Sequence, residues 1–138
     1  MWYSNYRKVV FYRYFVFESV LVPMAEEKVV IASDHAGFSM KSAFGEFLKE
    51  MGYSVLDLGT DSPCSVDYPD YANILADALS KGRAKWGVLI CGTGIGISIA
   101  ANRHRHVRAA LCHSDTDARF ARLHNNANVL ALGARTTG

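Results

Sequence analysis

An apolar run, Val88-Leu89-Ile90, ends in Cys91 and then alternates glycine with other residues through Gly92-Thr93-Gly94-Ile95-Gly96, which leaves a chain few options. Continuous β-branched and leucine residues suit a parallel strand covered on both faces. The glycines demand a tight turn and Ile97 to Asn102 can wind as a helix, so the stretch reads as strand, loop and helix. At such a junction several backbone N–H groups lack helical partners and the helix dipole adds partial positive charge, favouring an anion or a developing oxyanion. The spacing is G-x-G-x-G rather than the G-x-G-x-x-G of dinucleotide folds, and no Lys-Ser or Lys-Thr follows as a P-loop requires. A nucleotide is not the first reading.

Cys91 sets the kind of chemistry. A cysteine at the carboxyl end of a central strand, facing a helix N-terminus, has its thiolate favoured and can act as a base or nucleophile. The bland reading is a small buried hydrophobe. The glycine loop and the neighbouring Thr93 hydroxyl weigh toward the chemical role.

At 138 residues the chain is the size of one domain, and half of it is apolar and a fifth charged, as in ordinary globular proteins. The net charge of +2 comes from residues 1–23, where Arg7, Lys8 and Arg13 outweigh Glu18, so the remainder balances to zero. The body therefore has no electrostatic case for nucleic acid or membrane binding. Three cysteines, Cys64, Cys91 and Cys112, form no C-x-x-C, which argues for a reducing, cytoplasmic setting and against a disulfide framework or zinc site. His104-x-His106 and Cys112-His113 have no metal-ligand spacing and read as loop histidines.

Residues 1–24 stand apart as an aromatic, basic extension, and Met24-Ala25-Glu26-Glu27 reads like an ordinary start, with a targeting segment as the alternative. Residues 25–138 form the domain. Lys28 to Ala32 predicts a strand, and Met40, Ala43, Phe44, Phe47, Leu48 and Met51 recur at helical spacing from about Ser39 until Gly52. Tyr53 to Leu58 is a second strand, and Tyr71, Ile74, Leu75, Ala78 and Leu79 mark a second helix closed at Gly82. Trp86 to Cys91 and Gly94 to Arg103 follow as strand and helix, then Val107 to Cys112 as a strand. Ser114 to Asp117 caps a helix reaching about His124, and Asn128 to Leu132 is the last strand.

Five strands alternating with four helices give an α/β fold, a Rossmann-like three-layer sandwich on a five-stranded parallel sheet of expected order 2-1-3-4-5. Ligands of such sheets bind beyond the carboxyl ends of the strands where strand order reverses. Asp34-His35 and Cys91-Gly92-Thr93 should then share one crevice, and His124-Asn125, leading into the last strand, is expected on the same rim. A histidine in a last helical turn is commonly just a cation set against the dipole; beside a cysteine, an aspartate and a second histidine it reads as an acid-base group.

Five segments now carry a likeness: Ser33-Asp34-His35-Ala36-Gly37-Phe38, Asp67-Tyr68-Pro69, the run Ile90 to Asn102, His124-Asn125, and Asn128 to Gly133. Over residues 28 to 138 the chain resembles type B ribose-5-phosphate isomerases, in the sugar-phosphate isomerase family that includes galactose- and allose-6-phosphate isomerases. The resemblance implies aldose-ketose exchange between ribose 5-phosphate and ribulose 5-phosphate, a reaction of the pentose phosphate pathway, without metal or cofactor, in a homodimer with sites at the interface. By the same resemblance Cys91 is the base, His124 assists ring opening, and Asp34 binds sugar hydroxyls. His35 and Arg135 would hold the phosphate end. Gly92, Thr93, Gly94, Ile95 and Gly96 would supply backbone to the enediolate oxygen, Asn125 would touch substrate and Tyr68 would line the pocket.

The family continues past Arg135-Thr136-Thr137-Gly138 into a helix and an arginine-bearing tail. A chain truncated there is expected to be impaired and to leave apolar positions of strands one and three uncovered. The other readings are a hexose-6-phosphate isomerase of the same family and a non-catalytic sugar-phosphate-binding protein.

Overall fold

The computed structural model describes residues 27–137. The extension of residues 1–24 and the start at Met24 lie outside them. The elements run β1 (Lys28–Ser33), α1 (Phe38–Glu50), β2 (Ser54–Asp57), α2 (Tyr68–Ser80), β3 (Trp86–Cys91), α3 (Ile95–Ala101), β4 (Ala109–Leu111), α4 (Asp115–Asn125) and β5 (Val129–Gly133). Every element read from periodicity is present, with strands and α3 shorter than their apolar runs suggest.

All pairings in the sheet are parallel and the order is β2-β1-β3-β5-β4. The fold class is the expected one; the last two strands are exchanged relative to 2-1-3-4-5. Burial explains the exchange. Val129–Gly133 is buried at every position and takes the interior place between β3 and β4. The three-residue β4 is only half-buried and takes the edge, where the Asn102 side chain stands in for another strand: its Nδ2 donates to Ala109 O and its Oδ1 accepts from Ala109 N, both at 2.8 Å.

The exchange also redistributes the helices. A right-handed crossover that steps back from β4 to β5 puts its helix on the opposite face from one that steps outward. Accordingly Ala118 and Ala121 of α4 join Met40, Phe44 and Leu48 of α1 on one face, over Val29, Ile31, Val88 and Ile90. On the other face Leu75 and Ala76 of α2 and Ile97 and Ala101 of α3 cover Val30, Ala32 and Leu89. The apolar positions of β1 and β3 expected to lie bare are thus fully buried. That expectation followed from the wrong strand order, which would have left α1 alone on its face.

Two polar devices hold the frame. Lys41, buried on α1, pairs with Asp57 at the end of β2, and the Asp57 carboxylate also accepts the Gly59 N–H at 2.9 Å. At the start of α4, Ser114 and Asp117 form a reciprocal capping box. An N–H donated by His113, with further help from Ser114, holds the Asp117 carboxyl below its ordinary range. Cys112 lies in the core, where burial pushes its thiol up to about 12, so it is a packing residue. No described helix is long and apolar enough to cross a membrane.

Candidate active site at the carboxyl end of the sheet

Strand order reverses between β1 and β3, and the chain segments leaving these two strands meet there. The Asp34 N–H donates to Ile90 O at 3.2 Å, which brings Asp34 beside Cys91. Asp34 is buried, and one carboxylate oxygen accepts from Gly37 N at 3.1 Å, closing the turn that starts α1. His35 follows with Nδ1 at 3.1 Å from Val66 O and 3.2 Å from Val66 N, so either tautomer finds a partner in the loop before Tyr68.

Cys91 is the last residue of β3 and is buried. Its Sγ accepts the Gly94 N–H at 3.1 Å, so the glycine loop curls back over the sulfur and presents a donor to it. The Thr93 hydroxyl oxygen is engaged elsewhere, accepting from Ile95 N at 3.2 Å. Gly94 has φ +76°, and a β-carbon there would lie 2.5 Å from Leu111 Cδ1 and 2.8 Å from the Leu132 carbonyl carbon, so only glycine fits.

Two side chains rest on the same loop. A β-carbon on Gly96 would lie 2.7 Å from Tyr68 Cζ, and one on Gly92 would lie 3.2 Å from Arg135 Nη1. Arg135 reaches this place because β5 sits directly beside β3: Ala134 N donates to Cys91 O at 2.8 Å and Arg135 N to Gly92 O at 2.9 Å. Ten of the twelve residues anticipated for the site, Asp34, His35, Tyr68, Cys91, Gly92, Thr93, Gly94, Ile95, Gly96 and Arg135, are therefore gathered at one end of the sheet.

His124 and Asn125 are not among them. A helix between parallel strands runs back along the sheet, so α4 ends where β5 begins, at the amino edge. Asn125 O accepts from Arg108 Nε at 2.6 Å just before β4, and Asn128 O accepts from Gly87 N near the start of β3. From Gly87 to Cys91 the strand spans about 13 Å. The expectation that His124 shares the rim of Cys91 is corrected on that ground. Both residues are exposed at this far edge, and among the described residues neither side chain makes a hydrogen bond; the His124 ring leans on Phe120 with centroids 5.2 Å apart. A cleft of about 480 Å³, bordered by Asn102, Arg105, Arg108 and Asn125, opens next to them.

Val66 and Arg108 went unnoticed in the sequence. Val66 acts through its backbone and leaves no residue-type signal. Arg108 falls inside the predicted strand Val107 to Cys112, where a lone charged residue carries no signal of a role.

The match that settles the family spans residues 29–138 and is to the ribose/galactose isomerase model. The chain belongs to the ribose/galactose isomerase family. Its relatives in this family include ribose-5-phosphate isomerase B of Escherichia coli, 45% identical over 112 residues that cover 81% of this chain and 75% of the relative. A solved ribose 5-phosphate isomerase from Thermotoga maritima is 51% identical with a TM-score of 0.79, covering 81% of this chain and 77% of that one. A ribose-5-phosphate isomerase B from Mycoplasma genitalium, solved with bound ribulose-5-phosphate, is 42% identical with a TM-score of 0.78 and covers 83% and 77%.

Proposed function

We propose that this chain interconverts ribose 5-phosphate and ribulose 5-phosphate through an enediolate, as a homodimer whose sites are each built from both copies. The observation that carries the chemistry is Cys91 Sγ seated under the glycine loop, 3.1 Å from the Gly94 amide, with Asp34 and Arg135 beside it.

In the open aldose the Cys91 thiolate takes the proton from C2. The electron pair moves into the C1–C2 bond and the carbonyl oxygen at C1 becomes an oxyanion facing backbone of Gly92 to Gly96. The thiol, whose proton exchanges with water, delivers a proton to C1 as the O2 proton passes to O1, so the ketose forms with no net gain or loss of protons or electrons. Asp34 holds sugar hydroxyls, His35 and Arg135 take the phosphate end, and Tyr68 forms a wall against Gly96.

Ring opening requires a proton donor and acceptor at the furanose oxygen and O1, and His124 with Asn125 is assigned that work from the partner copy. The reason is geometric. His124 lies a strand length from the Cys91 of its own chain, with its side chain and that of Asn125 uncommitted and turned outward beside the exposed Phe120 and Leu123. Ile95 and Ile99, one turn apart on α3 and also exposed, give a second copy an apolar surface next to the glycine loop.

Turnover on ribose 5-phosphate against allose 6-phosphate and galactose 6-phosphate tests the assignment. Highest kcat/KM on the pentose supports it, whereas a clear preference for a hexose favours the other substrate class of the family, and no turnover on any of them would leave a sugar-phosphate-binding protein.

A further inference from the structure

The turn that carries His124 and Asn125 is tied at nearly every backbone and side-chain group except the two it displays. Arg108 does most of this. Its Nε donates to Asn125 O at 2.6 Å, its backbone N–H to Asn128 Oδ1 at 2.8 Å, and its carbonyl accepts from Asn128 N at 3.1 Å. Asn128 Nδ2 donates to His106 O at 2.9 Å. Arg122, stacked over the Trp86 ring with Cζ 4.4 Å from its centroid, donates to Asn126 Oδ1 and to Ala127 O. Asn126 itself sits in the left-handed region at φ 48°.

Only one of these ties reaches across from outside the turn to the residue next to His124, and it is made by an exposed side chain. Asn125 closes α4, where helix geometry leaves the last carbonyls without partners, and the Arg108 guanidinium satisfies one of them at 2.6 Å and so ties that turn to the residue preceding β4. We propose that Arg108 is a positioning residue: it fixes the Asn125 carbonyl and so holds His124 and Asn125 at the angle at which they enter the partner's site. This rests on the two-copy isomerase reading. Because the ties through the Arg108 backbone remain when Gln or Lys replaces it, losing the guanidinium should loosen the turn without unfolding the edge of the sheet.

The test compares Arg108→Gln, Arg108→Lys and His124→Ala in the full chain. Two activities are read: isomerisation of ribose 5-phosphate, which needs the ring opened, and exchange of the C1 hydrogen of ribulose 5-phosphate with D2O, which needs only proton transfer. Amide hydrogen exchange at Asn126, Ala127 and Asn128 reads the turn directly. For Arg108→Gln we expect isomerisation to fall by about tenfold or more while C1 exchange stays within about threefold, as in His124→Ala, since one charged hydrogen bond is lost. Turn amides should exchange about tenfold faster. Arg108→Lys, which keeps one donor, should recover part of the isomerisation. Unchanged amide exchange, or an equal fall in both activities, overturns the proposal. An unsubstituted chain that does not isomerise overturns the isomerase reading instead, and the amide exchange still reports whether Arg108 anchors the turn.

Discussion

Cys91 and His124 stand at opposite ends of one sheet. Cys91 closes β3 opposite Gly133 at the carboxyl edge, and His124 closes α4 where Val129 opens β5 opposite Gly87. A single chain cannot bring the two to one substrate without taking the sheet apart. Two chains related by a twofold axis can, because such an interface sets each patch of one copy against the complementary patch of the other.

Subunit mixing follows from this arrangement. Cys91→Ala alone is expected to be inactive, and His124→Ala alone to have lost most of its isomerisation of ribose 5-phosphate. Co-refolded together, half the dimers are mixed and each mixed dimer holds one site with both residues intact, so about a quarter of the parental activity should return. No recovery from a mixture shown to contain mixed dimers would remove one of the two residues from the mechanism.

Replacing Cys91 itself should abolish turnover and spare the fold. The side chain is small and sits at a strand end, so Cys91→Ala leaves little cavity. Cys91→Ser is expected to fail nearly as badly, a hydroxyl being a far weaker acid than a thiol. Retention of more than about a tenth of the parental rate, a barrier change under about 1.4 kcal/mol, would show that another group is the base. Mass mapping after alkylation of the folded protein should find Cys112 unlabelled, its thiol buried and held protonated.

Gly94→Ala is expected to be costly for stability and activity together. The substitution adds a side chain at φ +76°, within 2.5 Å of Leu111 and 2.8 Å of the Leu132 backbone. Strain and overpacking together should cost about 2–4 kcal/mol, read as a lower urea midpoint. The loop must also shift off the Cys91 sulfur, so kcat should drop further than stability alone accounts for.

Asp117→Asn tests the capping box through its pH dependence. The folded-state pKa is depressed, so the carboxylate's contribution is complete above the ordinary aspartate value near ~3.9 and disappears as pH falls through the lower folded value. At neutral pH the variant should be less stable by at most about 1 kcal/mol, since the group is exposed. The gap between parent and variant melting temperatures should narrow as pH falls below the ordinary aspartate range. A gap that is constant with pH would mean that the neutral amide caps as well as the carboxylate.

The local record of the chain was enough for the elements, the fold class and the crevice. Alternation and helical spacing are properties of neighbours in sequence, and so is the passage from Ile90-Cys91 into the glycine loop, which marks a strand end facing a helix start wherever that strand lies. Asp34 and Cys91 could be paired on paper because the two strands that flank a reversal of order are the first and third in either arrangement.

What the sequence could not determine was lateral order, and three features of the protein hang on it. Whether β4 or β5 lies beside β3 depends on which strand gains more by burial on both faces, a comparison between segments that no window along the chain contains. With β5 inside, Arg135 lands on Gly92, α4 joins α1 over β1 and β3, and the edge falls to a short strand capped by Asn102. The place of His124 was a different matter, since the direction of a crossover helix dictates that α4 ends at the amino edge. Only the folded sheet made plain that His124 and Asn125 stand exposed a strand length from Cys91, because distance across a sheet is set by the tertiary structure and not by the count of residues between them.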